Sequence, residues 1–263
     1  MAAAFMDHEP VVRLLLDRGA DIYATDSARA TALHLALANG AKSDKHTATV
    51  NLLLSVSQGQ LLQKQDAHGR LCIHLAAFHG DQALSSILEH NSCVDVADSM
   101  GRTPLMLAAS QGRLDAVDSL VAARADIDAI DAHGRTALQL AAAGGHLAVV
   151  DLLLTLGADE AHKDNDGAVA LHYAVTHGDV SLVRALATSA TVRAADRLGQ
   201  EPLIIAAQHN HDDVVTELLA LGASADAQTL DGQTPLRIAA IAGNSRVIHV
   251  SVMRNHIINL FRR

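Results

Sequence analysis

Apolar residues in this chain come in paired blocks, and the pair recurs. One block is a short run of alanine and leucine, as in Thr31-Ala32-Leu33-His34-Leu35-Ala36 or Thr136-Ala137-Leu138-Gln139-Leu140-Ala141. The other is richer in leucine and valine: Val11-Val12-Arg13-Leu14-Leu15-Leu16, Val149-Val150-Asp151-Leu152-Leu153-Leu154 and Val214-Val215-Thr216-Glu217-Leu218-Leu219. Each block reads as a short helix, and no run alternates as a strand would. A break near Gly80, Gly112, Gly145 or Gly178 separates the two helices of a pair. Gly19, Gly157 and Gly222 stand where a left-handed C-cap would close the second one.

The pairs restart at a fixed interval. Asp66-Ala67-His68-Gly69, Asp98-Ser99-Met100-Gly101, Asp131-Ala132-His133-Gly134, Asp164-Asn165-Asp166-Gly167, Asp196-Arg197-Leu198-Gly199 and Thr229-Leu230-Asp231-Gly232 succeed one another every 32 or 33 residues. Helices this short are marginal alone. Their apolar faces must be covered by adjoining copies, so stability comes from stacking of nearest neighbours.

The segment after each restart is repeated as well. The copies read Arg102-Thr103-Pro104-Leu105-Met106-Leu107-Ala108-Ala109, Gln233-Thr234-Pro235-Leu236-Arg237-Ile238-Ala239-Ala240, Leu71-Cys72-Ile73-His74-Leu75-Ala76, Val169-Ala170-Leu171-His172-Tyr173-Ala174 and Glu201-Pro202-Leu203-Ile204-Ile205-Ala206. This resembles the ankyrin repeat, with its T-P-L-H-x-A signature. Threonine before proline suits a helix start, because a hydroxyl accepts from an orphan amide and proline fits the first turn. The resemblance implies an all-α solenoid of stacked helix-turn-helix units joined by β-turn-like loops. It also implies that His34, His74 and His172, at the motif histidine, bridge neighbouring loops by hydrogen bonds.

The copies fall at 1–25 (partial), 26–65, 66–97, 98–130, 131–163, 164–195, 196–228 and 229–263 (degenerate, with a capping helix), read as one domain over 1–263. The copy at 26–65 carries a polar surplus, Lys42-Ser43-Asp44-Lys45-His46-Thr47, placed between its two helices as a loop. At the start, Ala2-Ala3-Ala4-Phe5 reads as the end of a first helix. At the far end Ile257, Ile258, Leu260 and Phe261 either fold back as a cap or mark a piece of a longer protein.

Composition narrows the function classes. Aromatic residues are only 2% and tryptophan is absent, while 49% of residues are apolar; thin helix pairs need no large rings. The first twenty residues contain Asp7, His8, Glu9, Pro10 and Arg13, so no signal-peptide core is present. The longest apolar stretch, Leu138 to Ala158, is broken by His146, Asp151 and glycines and falls short of the ~20 apolar residues of a membrane helix. Cys72 and Cys93 are the only cysteines and form no disulfide framework. A cytoplasmic setting, or a nuclear one, is expected.

From Gln233 onward there are five arginines and no acid, whereas the preceding part holds 29 acids against 15 bases. A strongly acidic body argues against nucleic acid as the main ligand, since phosphates demand cations. Among sixteen histidines only His209-Asn210-His211-Asp212-Asp213 clusters metal-ligand types, and it lacks the spacing of a metal site. No phosphate loop and no nucleophile motif occurs. The expectation is therefore no enzyme, no cofactor and no metal.

Function then falls to a surface. The family resemblance implies a concave groove lined by turn tips and first helices. Arg70, Arg102 and Arg135 come directly after the restart glycine in three consecutive copies and should align as a stripe. Phe78-His79 and Ser110-Gln111 come after the alanine pair on first helices, with Phe78 as an exposed anchor, and Met100 sits at a turn tip. Tyr173 aligns with Leu75, Leu107 and Leu140 and is expected in the core. These eight residues, Arg70, Arg102, Arg135, Phe78, His79, Met100, Ser110 and Gln111, are the candidate contact set for another protein or peptide. On this reading, reversing the three arginine charges leaves helical content unchanged. The chain is expected to be a monomeric binding scaffold, or else the regulatory or targeting arm of a larger enzyme, channel or transcription factor.

Overall fold

Each apolar block becomes a helix. The computed structural model describes residues 1–39, 44–80, 82–90 and 93–243, without the side chains of 44–46 and 242. Lys42 and Ser43 of the polar surplus lie outside the described residues, as do Arg246, Arg254, Arg262, Arg263 and the apolar C-terminal residues.

The chain divides into two units, Met1–Ala132 and His133–Arg263. The first contains α1 (Ala2–Phe5), α2 (Glu9–Asp17), α3 (Ala32–Ala38), α4 (Asp44–Ser57), α5 (Cys72–His79), α6 (Ala83–His90), α7 (Pro104–Ser110) and α8 (Leu114–Ala122). The second contains α9 (Ala137–Ala143), α10 (Leu147–Thr155), α11 (Ala170–Ala174), α12 (Val180–Leu186), α13 (Pro202–Gln208), α14 (Asp212–Ala220) and α15 (Pro235–Ala242). Odd-numbered helices are the first of each pair, even-numbered the second. Among the described residues there is no strand, only an isolated bridge between Thr25 and Thr31.

Two layers result in each unit. In the first, α1, α3, α5 and α7 pack in succession, α2, α4 and α6 do the same, and each odd helix leans on its own partner. The second unit repeats this with α9, α11, α13 and α15 against α10, α12 and α14. Alanines at the centre of the first helices (Ala76, Ala108, Ala141, Ala206) are fully buried. Their small side chains let neighbouring helices approach closely.

The caps match the sequence. Thr31, Thr103, Thr136 and Thr234 each accept a hydrogen bond at Oγ1 from the third helical amide, which removes one of the orphan donors of a helix start. Gly19, Gly157 and Gly222 all take left-handed φ after α2, α10 and α14. After α8 the same position is held by Arg124, with φ +67°.

The motif histidines tie each copy to the next. His34 Nδ1 accepts from the Thr31 amide, His74 Nδ1 from Leu71 and His172 Nδ1 from Val169. The proton then sits on Nε2, which donates to the carbonyls of Arg70, Arg102 and Gln200 at 3.1, 3.2 and 3.0 Å. Gln139 does the same with an amide: Oε1 accepts from Thr136 N, and Nε2 donates to the Ala168 carbonyl at 2.8 Å.

This ladder is acid-sensitive. Burial lowers the pKa of all three histidines below the ordinary value of 6.5, against the opposing pull of backbone hydrogen bonds and nearby aspartates. The unfolded chain therefore binds more protons than the folded one once pH drops below about 6.5, and stability falls with pH from there. The triple variant His34→Gln, His74→Gln, His172→Gln copies Gln139 and does not titrate. It should lose less stability than the parent between about pH 7.5 and pH 5 in urea unfolding; equal losses would contradict the assignment.

Two expectations need correction. Tyr173 is half-buried, not core, because its hydroxyl donates to Asp164 Oδ2. The polar surplus is not simply a loop: from Asp44 onward it is helical, and α4 runs for 14 residues where the second helices α2, α8, α10 and α14 have 9.

Candidate functional site

The restarts at Asp66, Asp98, Asp164 and Asp196 fold as tight turns around their aspartates, and at Thr229 the hydroxyl takes the same place. Asp66 Oδ1 accepts from the amides of His68 and Arg70 at 2.8 and 2.9 Å. Asp98 Oδ1 does so from Met100 and Arg102 at the same distances. Consecutive turns are joined by backbone bonds, Ser99 N to His68 O and Ala132 N to Met100 O, both 2.9 Å. The tips of the first unit thus form a hydrogen-bonded edge that fixes where the adjacent arginines start.

Those arginines fold back on their own turns. Arg70 Nε and Nη2 lie 2.8 and 2.7 Å from Asp66 Oδ2, and Arg102 makes the equivalent contacts with Asp98 at 2.9 and 2.8 Å. Burial pushes both carboxyls up, but the guanidinium and the turn amides outweigh it and hold them below the ordinary aspartate value. In the copy that starts at Asp164 the arginine is replaced by Ala168, and the Tyr173 hydroxyl takes up the second carboxylate oxygen instead. Burial and the Asp164 carboxylate raise the Tyr173 pKa, so it stays a donor.

Between these turns and the first helices lies a concavity of about 250 Å³. It is lined by Ala38 of α3, His74, Leu75, Phe78 and His79 of α5, Leu107 of α7, and both Arg70 and Arg102. Four of the eight sequence candidates therefore meet in one place. Phe78 and His79 pack edge to face, with ring centres 5.1 Å apart. Phe78 is half-buried rather than the exposed anchor expected, and its carbonyl accepts from Arg113 Nε at 3.2 Å. That contact holds the end of α5 in place.

The remaining candidates are placed differently. Met100 is 41% exposed at the tip beside Arg102. Ser110 and Gln111 close α7; Ser110 Oγ donates to the Leu107 carbonyl at 2.8 Å, and Gln111 is exposed. None of the three lines the concavity. Arg135 is half-buried in the second unit, so only Arg70 and Arg102 share this site.

Sequence reasoning missed the lining residues His74, Leu75 and Leu107, which it treated as purely structural. It also missed the carboxylates behind the arginines, although the Asp66–Arg70 and Asp98–Arg102 spacing was there to be read. A second concavity, about 420 Å³, lies in the second unit against Leu198, Leu230, Ile238 and Ile241, with Gln200, Gln208 and Gln233 around them. Aliphatic residues at turn tips were its signal.

His211 Nε2 donates to the Thr176 carbonyl at 2.9 Å, and its ring stacks on His209, so this histidine of the clustered segment is engaged in the fold. Among the described residues no group of three His, Cys, Asp or Glu could hold a metal ion, and no helix is long and apolar enough to cross a membrane. Cys72 is buried and Cys93 exposed, and neither forms a disulfide among the described residues.

Comparison with known proteins agrees with the architecture. Models of ankyrin repeats match residues 1–44, 37–131, 117–196 and 193–250. The chain belongs to the ankyrin-repeat family, whose repeats bind other proteins and are generally non-catalytic. It is also 34% identical over 113 residues to a transient receptor potential cation channel subfamily A member 1 homolog from Caenorhabditis elegans. That match covers 43% of this chain and 9% of the channel protein.

Proposed function

We propose that this chain is a non-catalytic, monomeric scaffold that holds a protein or peptide partner across the first-unit concavity, without a cofactor. The observation that carries this reading is the convergence of Arg70, Phe78, His79 and Arg102 in one depression. An aromatic ring, two aliphatic side chains and two guanidiniums held in fixed positions form the kind of centre from which binding energy is drawn. Met100 and Gln111 supply an exposed rim, with Ser110 beside it; Arg135 is a separate candidate contact of the second unit. A cytoplasmic or nuclear setting completes the reading.

The test uses rim residues that lie outside the buried ion pairs. Met100→Glu combined with Gln111→Glu should cut partner capture at least tenfold, about 1.4 kcal/mol or more, while leaving the melting temperature unchanged. Undiminished capture would remove the groove assignment.

The second reading is that the chain is the regulatory or targeting segment of a larger signalling enzyme, channel or transcription factor. The partial match to a far longer channel protein favours it. Sequencing the full transcript separates the two: flanking membrane-spanning or catalytic sequence would support the segment reading.

A further inference from the structure

The edge of the first-unit concavity carries a sign. The Asp66 and Asp98 side chains are 4% and 0% exposed, whereas those of Arg70 and Arg102 are 33% and 29% exposed. Whatever enters therefore meets the guanidiniums and not the carboxylates behind them. Nε and Nη2 of each arginine are turned to its aspartate. The Nη1 end of each has no partner among the described residues and keeps its N–H donors for a ligand. Because the buried pairs already hold these side chains in place, little rotamer freedom is lost on binding.

The rest of the lining sets the other half of the chemistry. Leu75, Phe78 and Leu107 make it apolar, and among the described residues no acid lines it. The second unit is built differently. Gln200 and Gln233 follow Gly199 and Gly232 where Arg70 and Arg102 follow Gly69 and Gly101, and the charged residue lining that concavity is Asp231. A depression of about 250 Å³ lies under the ~300–1,000 Å³ of small-molecule pockets, so it suits a side chain of a larger partner. Each guanidinium also shares its charge with an aspartate, which leaves an edge matched to a carboxylate rather than to a phosphate of nearly two charges.

We infer that the segment held here is an acidic–aliphatic peptide, with an aliphatic side chain against Leu75, Phe78 and Leu107 and a neighbouring Asp or Glu carboxylate on the Nη1 ends of Arg70 and Arg102. This rests on the groove reading above and names the class of partner that the groove takes.

A random peptide library selected on the full chain is the probe. Enriched peptides should pair Asp or Glu with a nearby aliphatic residue. Changing that acid to Asn or Gln should weaken binding about tenfold or more. Arg70→Lys with Arg102→Lys should weaken it by a similar factor at an unchanged melting temperature, because an ammonium still serves the buried aspartate but offers no second edge. A photoreactive residue in place of Phe78 should crosslink to the same peptides. Peptides that crosslink at position 78 yet lack an acid, or bind equally well as amides, would overturn the inference and leave the groove reading standing. A phosphoserine peptide that outbinds its glutamate counterpart would do the same. Enriched peptides that never crosslink at position 78 would overturn both.

Discussion

Alanine in place of Gly101 is expected to destabilise the first unit by about 3 kcal/mol or more. Two costs add. Gly101 has φ +75°, a left-handed conformation that costs an L-residue about 1–2 kcal/mol. A Cβ there would also stand 2.8 Å from Ala132 N and 3.2 Å from the Asp131 carbonyl carbon. Those are backbone atoms of the next turn, and they cannot yield without breaking the 2.9 Å bond from Ala132 N to Met100 O. Gly232 provides the control, because its φ is +72° and a Cβ would meet nothing within 4 Å. Gly232→Ala should therefore cost only the conformational part, about 1–2 kcal/mol. Urea unfolding of both variants reads the difference, and equal losses would mean that the close turn-to-turn approach contributes little.

Arg102→Glu is expected to be nearly as damaging, about 3 kcal/mol. The Asp98 side chain is 0% exposed and receives two N–H bonds from Arg102, whose own side chain remains 29% exposed. That exposure places the cost at the lower end of the range for breaking a buried pair. Reversal removes the compensating charge and sets a second carboxylate beside the first. Arg102→Gln should be milder yet should raise the Asp98 pKa, because burial would no longer be opposed by the guanidinium. Carboxyl titration by NMR checks this; an unmoved Asp98 would contradict it. The consequence for function is direct. Loss of partner binding on charge reversal at Arg70 or Arg102 would report on the turn as much as on the contact, contrary to the expectation that helical content is unaffected.

The repeat made most of the fold legible. Thr31, Thr103, Thr136 and Thr234 cap as their position before the first-helix block implies. Gly19, Gly157 and Gly222 close the second helices, and His34, His74 and His172 bridge to the next turn. All of these depend on local geometry repeated at a known interval, and the period transfers the geometry from copy to copy. The failures depend on exceptions to the repeat. Tyr173 aligns with buried leucines, but Ala168 leaves Asp164 without the arginine that serves Asp66 and Asp98, and the phenol hydroxyl donates to that carboxylate instead. Phe78 looked exposed because the sequence does not show His79 folding against its ring or Arg113 holding its carbonyl.

The site was half legible for a related reason. Arg70, Arg102, Phe78 and His79 could be nominated from their positions after the glycine and after the alanine pair. That the arginines are anchored by buried carboxylates, and that Met100, Ser110 and Gln111 lie outside the concavity, requires side-chain directions that periodicity does not carry. The aliphatic depression around Leu198, Leu230 and Ile241 went unnoticed because its residues are divided between two copies.

Site-specific photo-crosslinking on the full chain tests the functional reading most directly. A photoreactive aromatic amino acid replaces Phe78 in one preparation, Met100 in a second and the exposed Asp118 of α8 in a third. Binding through the groove predicts one recurrent covalent adduct from positions 78 and 100 and none from 118. Adducts from 118 alone, or equally from all three, would contradict it.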